Sequence, residues 1–585
     1  MSRSVSSRWI AISLALLAGS IAVYMILRAP EYDIVIRGGT IYDGSGEAPY
    51  VGDVAIRGDK IVDQGEEIKG RGVLEIQAEG LAVAPGFINM LSWATETLLV
   101  DGRSQSDLLQ GVTLEVFGEG WSMGPLNEAM REETLRDLVD YIGSEAEVAR
   151  LLGQPEADSL DLPWTTLGEY LEFMVEKGVA PNVASFVGAT TVRIHELGYE
   201  YRSPTPEELA RMRAHVRQAM EEGALGVGSS LIYAPAFYAD TEELITLVEE
   251  VAKYGGMYIS HLRSEGLQLV EGVDELISIA RATGAAAEIY HLKASGRTNW
   301  HKLDTVIAQV EAARAEGLQI TADVYPYIAS STGLNAAMPL WVQEGGFGAW
   351  RERMMDPAIA ATLETEMMTI SDTLENRLAL AGPENIMLVD FRTDSLRQYI
   401  GMRLSEVAEQ RGVSPARAAI DLVVADSSRV GAVYFMMSEE NVKKKLALPW
   451  VSMDSDAGSI APEGIFLRSN PHPRAYGAFA RVLGKYVREE EVLTLQEAVR
   501  RLTLLPATNL KLDRRGALRP GYYADLAIFD PDTIIDNATF EEPHQLASGM
   551  VHVIVNGTPA FLDGVFTGAL PGRVVRGPGW VEQAP

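Results

Sequence analysis

Two short apolar, partly β-branched runs each lead into a histidine: Gly256-Met257-Tyr258-Ile259-Ser260-His261 and Ala287-Glu288-Ile289-Tyr290-His291. Between them, residues 271–283 place Val273, Leu276, Ile277 and Ala280 at helical spacing, the pattern of an amphipathic helix. Strand, helix, strand predicts a parallel βαβ unit, which brings both histidines to the same C-terminal edge of a sheet. The alternation recurs from about Pro85 to Leu510 and predicts an α/β fold, a (β/α)8 TIM-like barrel. One helix announces its start: Thr205-Pro206-Glu207-Glu208 supplies an N-cap, a proline at the first helical position and an acidic first turn. On either side of the barrel the pattern changes to short strands with Gly and Asp turns, at residues 33–86 and again at 521–557. A small β-sandwich built from both chain ends, residues 31–84 and 511–585, accounts for both, with the barrel, residues 85–510, inserted between. The Met- and Glu-rich helical stretch at about 341–395 reads as an insertion after a barrel strand.

Composition changes this picture at the N-terminus. Residues 9–27 form nineteen positions without a charge, preceded by Arg3 and Arg8 and closed by Arg28. Such a run is long enough to cross a bilayer, and it ends in Tyr24-Met25-Ile26-Leu27 rather than a small-residue cleavage site. It predicts an uncleaved signal anchor over residues 1–30, a single transmembrane helix with the main body on the periplasmic or extracytoplasmic side. A net charge of −31 argues against nucleic acid as a partner, because phosphate binding needs clustered Lys and Arg. The absence of cysteine excludes disulfides, a thiol nucleophile and thiolate metal ligands. A homo-oligomer stays open.

Four further stretches complete a recognisable set. They are Tyr254 through Gly266, His291-Leu292-Lys293-Ala294-Ser295-Gly296, Asp323-Val324-Tyr325-Pro326-Tyr327 and His472-Pro473-Arg474-Ala475-Tyr476-Gly477. With Ala84-Pro85-Gly86-Phe87-Ile88-Asn89 and Gly516-Ala517-Leu518-Arg519-Pro520-Gly521, the chain from about Tyr32 onward resembles the amidohydrolase superfamily, within it the N-acyl-D-amino-acid deacylases (D-aminoacylases).

The resemblance implies a hydrolytic metal site on the barrel rim, with an open position for water and a base beside it. His261 and His291 supply two ligands. The third falls after the apolar run 112–117, where the family carries a cysteine and this chain reads Gly118-Glu119-Gly120; Glu119 is the nearby side chain able to ligate, though Gly120 matches the family position equally well. Nitrogen and oxygen donors suit Zn²⁺, one per chain, and tolerate other divalent metals. The expected base is Asp456, just past the strand-like run 450–453, with Asp454 as its competitor. Lys293, Tyr325, Ser331 and Arg474 correspond to residues that hold the substrate carboxylate or polarise the scissile carbonyl; an Arg would grip a carboxylate bidentately. Arg263 and Glu265 could form an ion pair behind the ligands.

One departure is plain. Where the superfamily has His-x-His, this chain reads Leu91-Ser92-Trp93, so a second metal is not expected and Trp93 reshapes the pocket. The expectation is a membrane-anchored amidohydrolase cleaving the amide of a small-molecule N-acyl amino acid. The alternatives are an inactive binding or scaffold protein of the same fold, and hydrolysis of cyclic amides, lactones or dipeptides.

Overall fold

The computed structural model describes residues 30–154, 160–370 and 375–581. The expected membrane anchor lies outside these residues; among those described, no helix is long and apolar enough to cross a membrane. Parallel strands follow one another around a barrel: Phe87–Asn89, Val112–Phe117, Asn182–Ser185 continuing into Val187–Gly188, Gly226–Ser230, Met257–His261, Ala286–Ile289, Ile320–Val324 and Val451–Met453. The ring closes where the Met90 N–H donates to the Met453 carbonyl at 3.3 Å and Ser92 bridges Ala457. These strands are buried on both faces, as an all-parallel sheet covered by helices must be. The expected helix runs Leu269–Thr283 and buries Val273, Leu276, Ile277 and Ala280; Pro206–Glu221 is capped by a Thr205–Glu208 box as its sequence predicts.

Two expectations change. The β-domain is one nine-stranded sheet, because Ala82–Pro85 pairs with both Tyr32–Ile41 and Leu526–Phe529 and so joins the two chain ends in a single ladder. The insertion is also wider than 341–395. Ser330–Gly333 and Gly431–Tyr434, which lie outside that range, pair antiparallel with each other, and Ile386–Asp390 from within it adds to Gly431–Tyr434 in a separate sheet. That sheet has its own core of Leu334, Trp350, Leu363, Leu388, Leu422 and Tyr434.

Outside the first strands lies a buried acidic network. Glu115 accepts hydrogen bonds from Ser92 and Ser104 at 2.7 Å each. Burial, and then the charge of Asp107, push its carboxyl up from 4.5 to about 8. Between those values the folded chain keeps a proton that the unfolded chain has released, so this group's contribution to stability falls as pH rises through the window. Urea midpoints measured from pH 5 to 8.5 should therefore decline more steeply in the wild type than in Glu115→Gln.

Candidate active site

Strand alternation aims the first histidine. Met257 and Ile259 pack inside the barrel with Leu114 and Val116, while Tyr258 packs outward under the helices. His261, two residues past Ile259, therefore faces inward. The same rule would send His291 outward with Ala287 and Ile289; instead its φ of 35° turns it toward His261. Such a conformation is uncommon for a residue with a side chain. Here the Asp323 carboxylate secures it by accepting the His291 N–H.

Glu119 depends on its neighbours. Gly118 and Gly120 have φ of 107° and 74°. A Cβ on the first would stand 2.4 Å from the Phe186 carbonyl oxygen, and on the second 2.1 Å from Ser230 Oγ. Only glycines fit this turn, and the Ser230 hydroxyl fixes it by donating to the Glu119 carbonyl at 2.6 Å.

The three side chains converge. Glu119 Oε1 lies 2.9 Å from His291 Nε2 and 3.1 Å from His261 Nδ1, and the two nitrogens are 2.9 Å apart. All three residues are buried. Burial raises the Glu119 carboxyl, but the two imidazoles overcome this and hold it well below the usual carboxylate range. Burial and Lys293 pull His291 down, yet Asp456 and Glu119 lift it to about 9. The pocket thus favours a positive charge among these atoms. His261 Nε2 is buried without a hydrogen-bond partner. Two imidazoles and one carboxylate crowded so closely fit Zn²⁺, with other divalent metals allowed.

Behind this trio, Glu265 Oε1 accepts from Lys293 Nζ at 2.6 Å and lies 3.2 Å from His291 Nδ1. Despite full burial, His261 and Lys293 hold its carboxyl far below the usual range. The Arg263–Glu265 pair does not form: Arg263 pairs with Glu275 at 2.9 Å, while Glu265 pairs with Lys293 at 2.6 Å.

Asp456 also has positive φ, 45°. Its Oδ2 pairs with Arg474 Nη1 at 2.7 Å, and its Oδ1 accepts from the Trp93 indole N–H at 3.1 Å. Asp454 is fully buried against the Asp323 carboxyl, and burial followed by the charge of Asp456 pushes it up to about 6. An acid so enclosed is the weaker candidate to exchange protons with a substrate. Arg474 is occupied: besides Asp456, it donates to the Ser331 carbonyl at 3.4 Å and stands 4.5 Å over the Tyr325 ring. It is not the free bidentate grip expected. The Ser331 hydroxyl donates to the Ala432 carbonyl at 3.2 Å, whereas the Tyr325 hydroxyl is buried without a partner.

A cavity of about 390 Å³ lies nearby, although none of the three converging residues lines it. Tyr233, whose ring centre is 5.3 Å from that of His261, forms part of its wall. Phe237, Met338 and Leu340 make the wall largely apolar, and Arg377, buried with Nη2 lacking a hydrogen-bond partner, adds a charge. Sequence reasoning missed Tyr233, Arg377 and the Trp93–Asp456 bond. Arg377 follows a loop in the insertion, where no sequence spacing points at the barrel rim.

Barrel, rim histidines and nearby aspartate define an amidohydrolase, and a model of the amidohydrolase family matches residues 417–561. D-aminoacylase of Alcaligenes xylosoxydans xylosoxydans is 32% identical, the match covering 93% of this chain and 97% of that protein. The chain belongs to the D-aminoacylase (N-acyl-D-amino-acid deacylase) family of metal-dependent amidohydrolases. In structure it is similar to N-acyl-D-glutamate deacylase of Bordetella bronchiseptica complexed with zinc and a phosphonate mimic of the tetrahedral intermediate, with TM-score 0.74, 28% identity and coverage of 93% and 99%. A D-aminoacylase described with a binuclear metal centre, one-metal activation and second-metal attenuation matches with TM-score 0.74, 30% identity and coverage of 93% and 100%.

Proposed function

We propose that this enzyme hydrolyses the amide of N-acyl-D-amino acids, using one zinc held by Glu119, His261 and His291, with Asp456 as general base. The convergence of those three side chains carries the proposal, supported by end-to-end similarity to D-amino-acid deacylases. Zinc held there would polarise the scissile carbonyl and make water more acidic. Asp456 accepts the proton of the attacking water and returns it to the departing amine. Tyr325 offers its unpartnered hydroxyl to the developing oxyanion. Arg474, paired with Asp456, puts a positive charge where the substrate carboxylate is expected, and the largely apolar cavity walled in part by Tyr233 takes the hydrocarbon part of the substrate. Glu265 holds Lys293 and the back of His291, the supporting role that orients a metal-ligating imidazole. With no His-x-His pair, the site is built for one metal. Residues 9–27 would tether it to a membrane.

Purified protein offered N-acetyl-D- and N-acetyl-L-amino acids, with release of free amine as the readout, tests the substrate class. Hydrolysis of the D series is expected; hydrolysis of cyclic amides or lactones alone would replace this reading.

Trp93 gives a finer test. Its N–H holds one oxygen of Asp456 while Arg474 holds the other. A hydrogen bond to a charged group contributes about 1.5–3 kcal/mol. Trp93→Phe should therefore lower kcat by about 10- to 100-fold, with KM and zinc content little changed. A proportionate loss of zinc would assign Trp93 to the fold of the site instead.

A further inference from the structure

We propose a second metal site, separate from the barrel rim, formed by His195, Glu196 and His215 on two outer helices. His195 and Glu196 end the helix Ala189–Leu197, which leaves the rim after the strand Val187–Gly188, and His215 lies in the next helix, Pro206–Glu221. His195 Nδ1 and His215 Nε2 each lie 3.0 Å from the same oxygen, Glu196 Oε1. The ring centres are only 4.1 Å apart. Each residue offers one ligand atom, and the three atoms lie within 4.8 Å of one another.

Several features favour a cation here over a simple hydrogen-bonded cluster. The other Glu196 oxygen, Oε2, is held by Arg211 Nε at 2.6 Å. That contact orients the carboxylate and leaves Oε1 for the imidazoles, the arrangement that commonly supports a metal-ligating side chain. The two imidazole rings are tilted at 55° to one another, so both ring nitrogens can turn toward Glu196 Oε1. Backbone placement is firm, because the His195 carbonyl accepts from Asn127 Nδ2 at 3.0 Å. The imidazoles are about one-fifth exposed, so water can complete the coordination. Two nitrogens and one carboxylate oxygen suit Zn²⁺. Bound there, it would staple two helices already linked by the Arg211–Glu196 ion pair.

The full chain, equilibrated with excess ZnCl₂ and passed through a desalting column, distinguishes the sites by elemental analysis. Two zinc ions per chain are expected in the wild type and one in His195→Gln/His215→Gln. Glu119→Ala should also keep one, and its melting temperature should rise with added zinc; that rise should vanish when the two histidine changes are added. Equal zinc content in the wild type and in His195→Gln/His215→Gln would overturn the proposal, whether or not the rim site holds metal.

Discussion

Asp456→Asn is expected to lower kcat by about 10²–10⁴-fold, the usual contribution of a positioned proton carrier. Asparagine keeps the size of the side chain and its amide oxygen can still accept a hydrogen bond, but it cannot take a proton from water. Zinc content should not change, because Asp456 stands outside the Glu119–His261–His291 convergence and is held by Trp93 and Arg474. KM should shift much less than kcat. Asp454→Asn provides the contrast: Asp454 is enclosed against Asp323 rather than held by Trp93 and Arg474, so its loss should leave most of the activity. Steady-state kinetics on both variants, with zinc measured in each preparation, decides between the two carboxylates.

His291→Ala should be still more damaging, reducing turnover to background. It removes one of three converging donor atoms and leaves the others short of a partner. It also strips Lys293 Nζ of a contact at 2.6 Å, leaving Glu265 as its hydrogen-bond partner. Loss of one partner from a buried charged network costs about 3–5 kcal/mol, so a lower urea midpoint should accompany the loss of zinc. Imidazole added to the variant tests whether the defect is the missing ligand: partial return of zinc with an unchanged midpoint would separate metal binding from stability.

How much of this was readable beforehand follows the physics of each residue. His261 ends its strand on the inward-facing parity, so hydrophobic alternation alone aims it. Glu119 was legible because two glycines bracket it and nothing else nearby can ligate. The turn that brings His291 inward was not, since a left-handed φ at a histidine leaves no mark in local sequence. Arg263 and Glu265 looked like partners by proximity along the chain, but their side chains pair elsewhere, one with Glu275 and one with Lys293. In sequence Trp93 signals only bulk in the pocket; its more specific contact is the indole N–H on Asp456, a pairing across most of the chain length that no local pattern encodes. The insertion was underestimated for a related reason. Apolar strands such as Gly431–Tyr434 look alike whether they join the barrel or pair antiparallel outside it.

The most direct measurement is zinc content, taken in the His195→Gln/His215→Gln background so that the outer helices do not contribute. One zinc per chain is predicted, falling to none when Glu119→Ala is added. Zinc retained without Glu119, or a chain that takes up none when zinc is supplied, would contradict the Glu119–His261–His291 site.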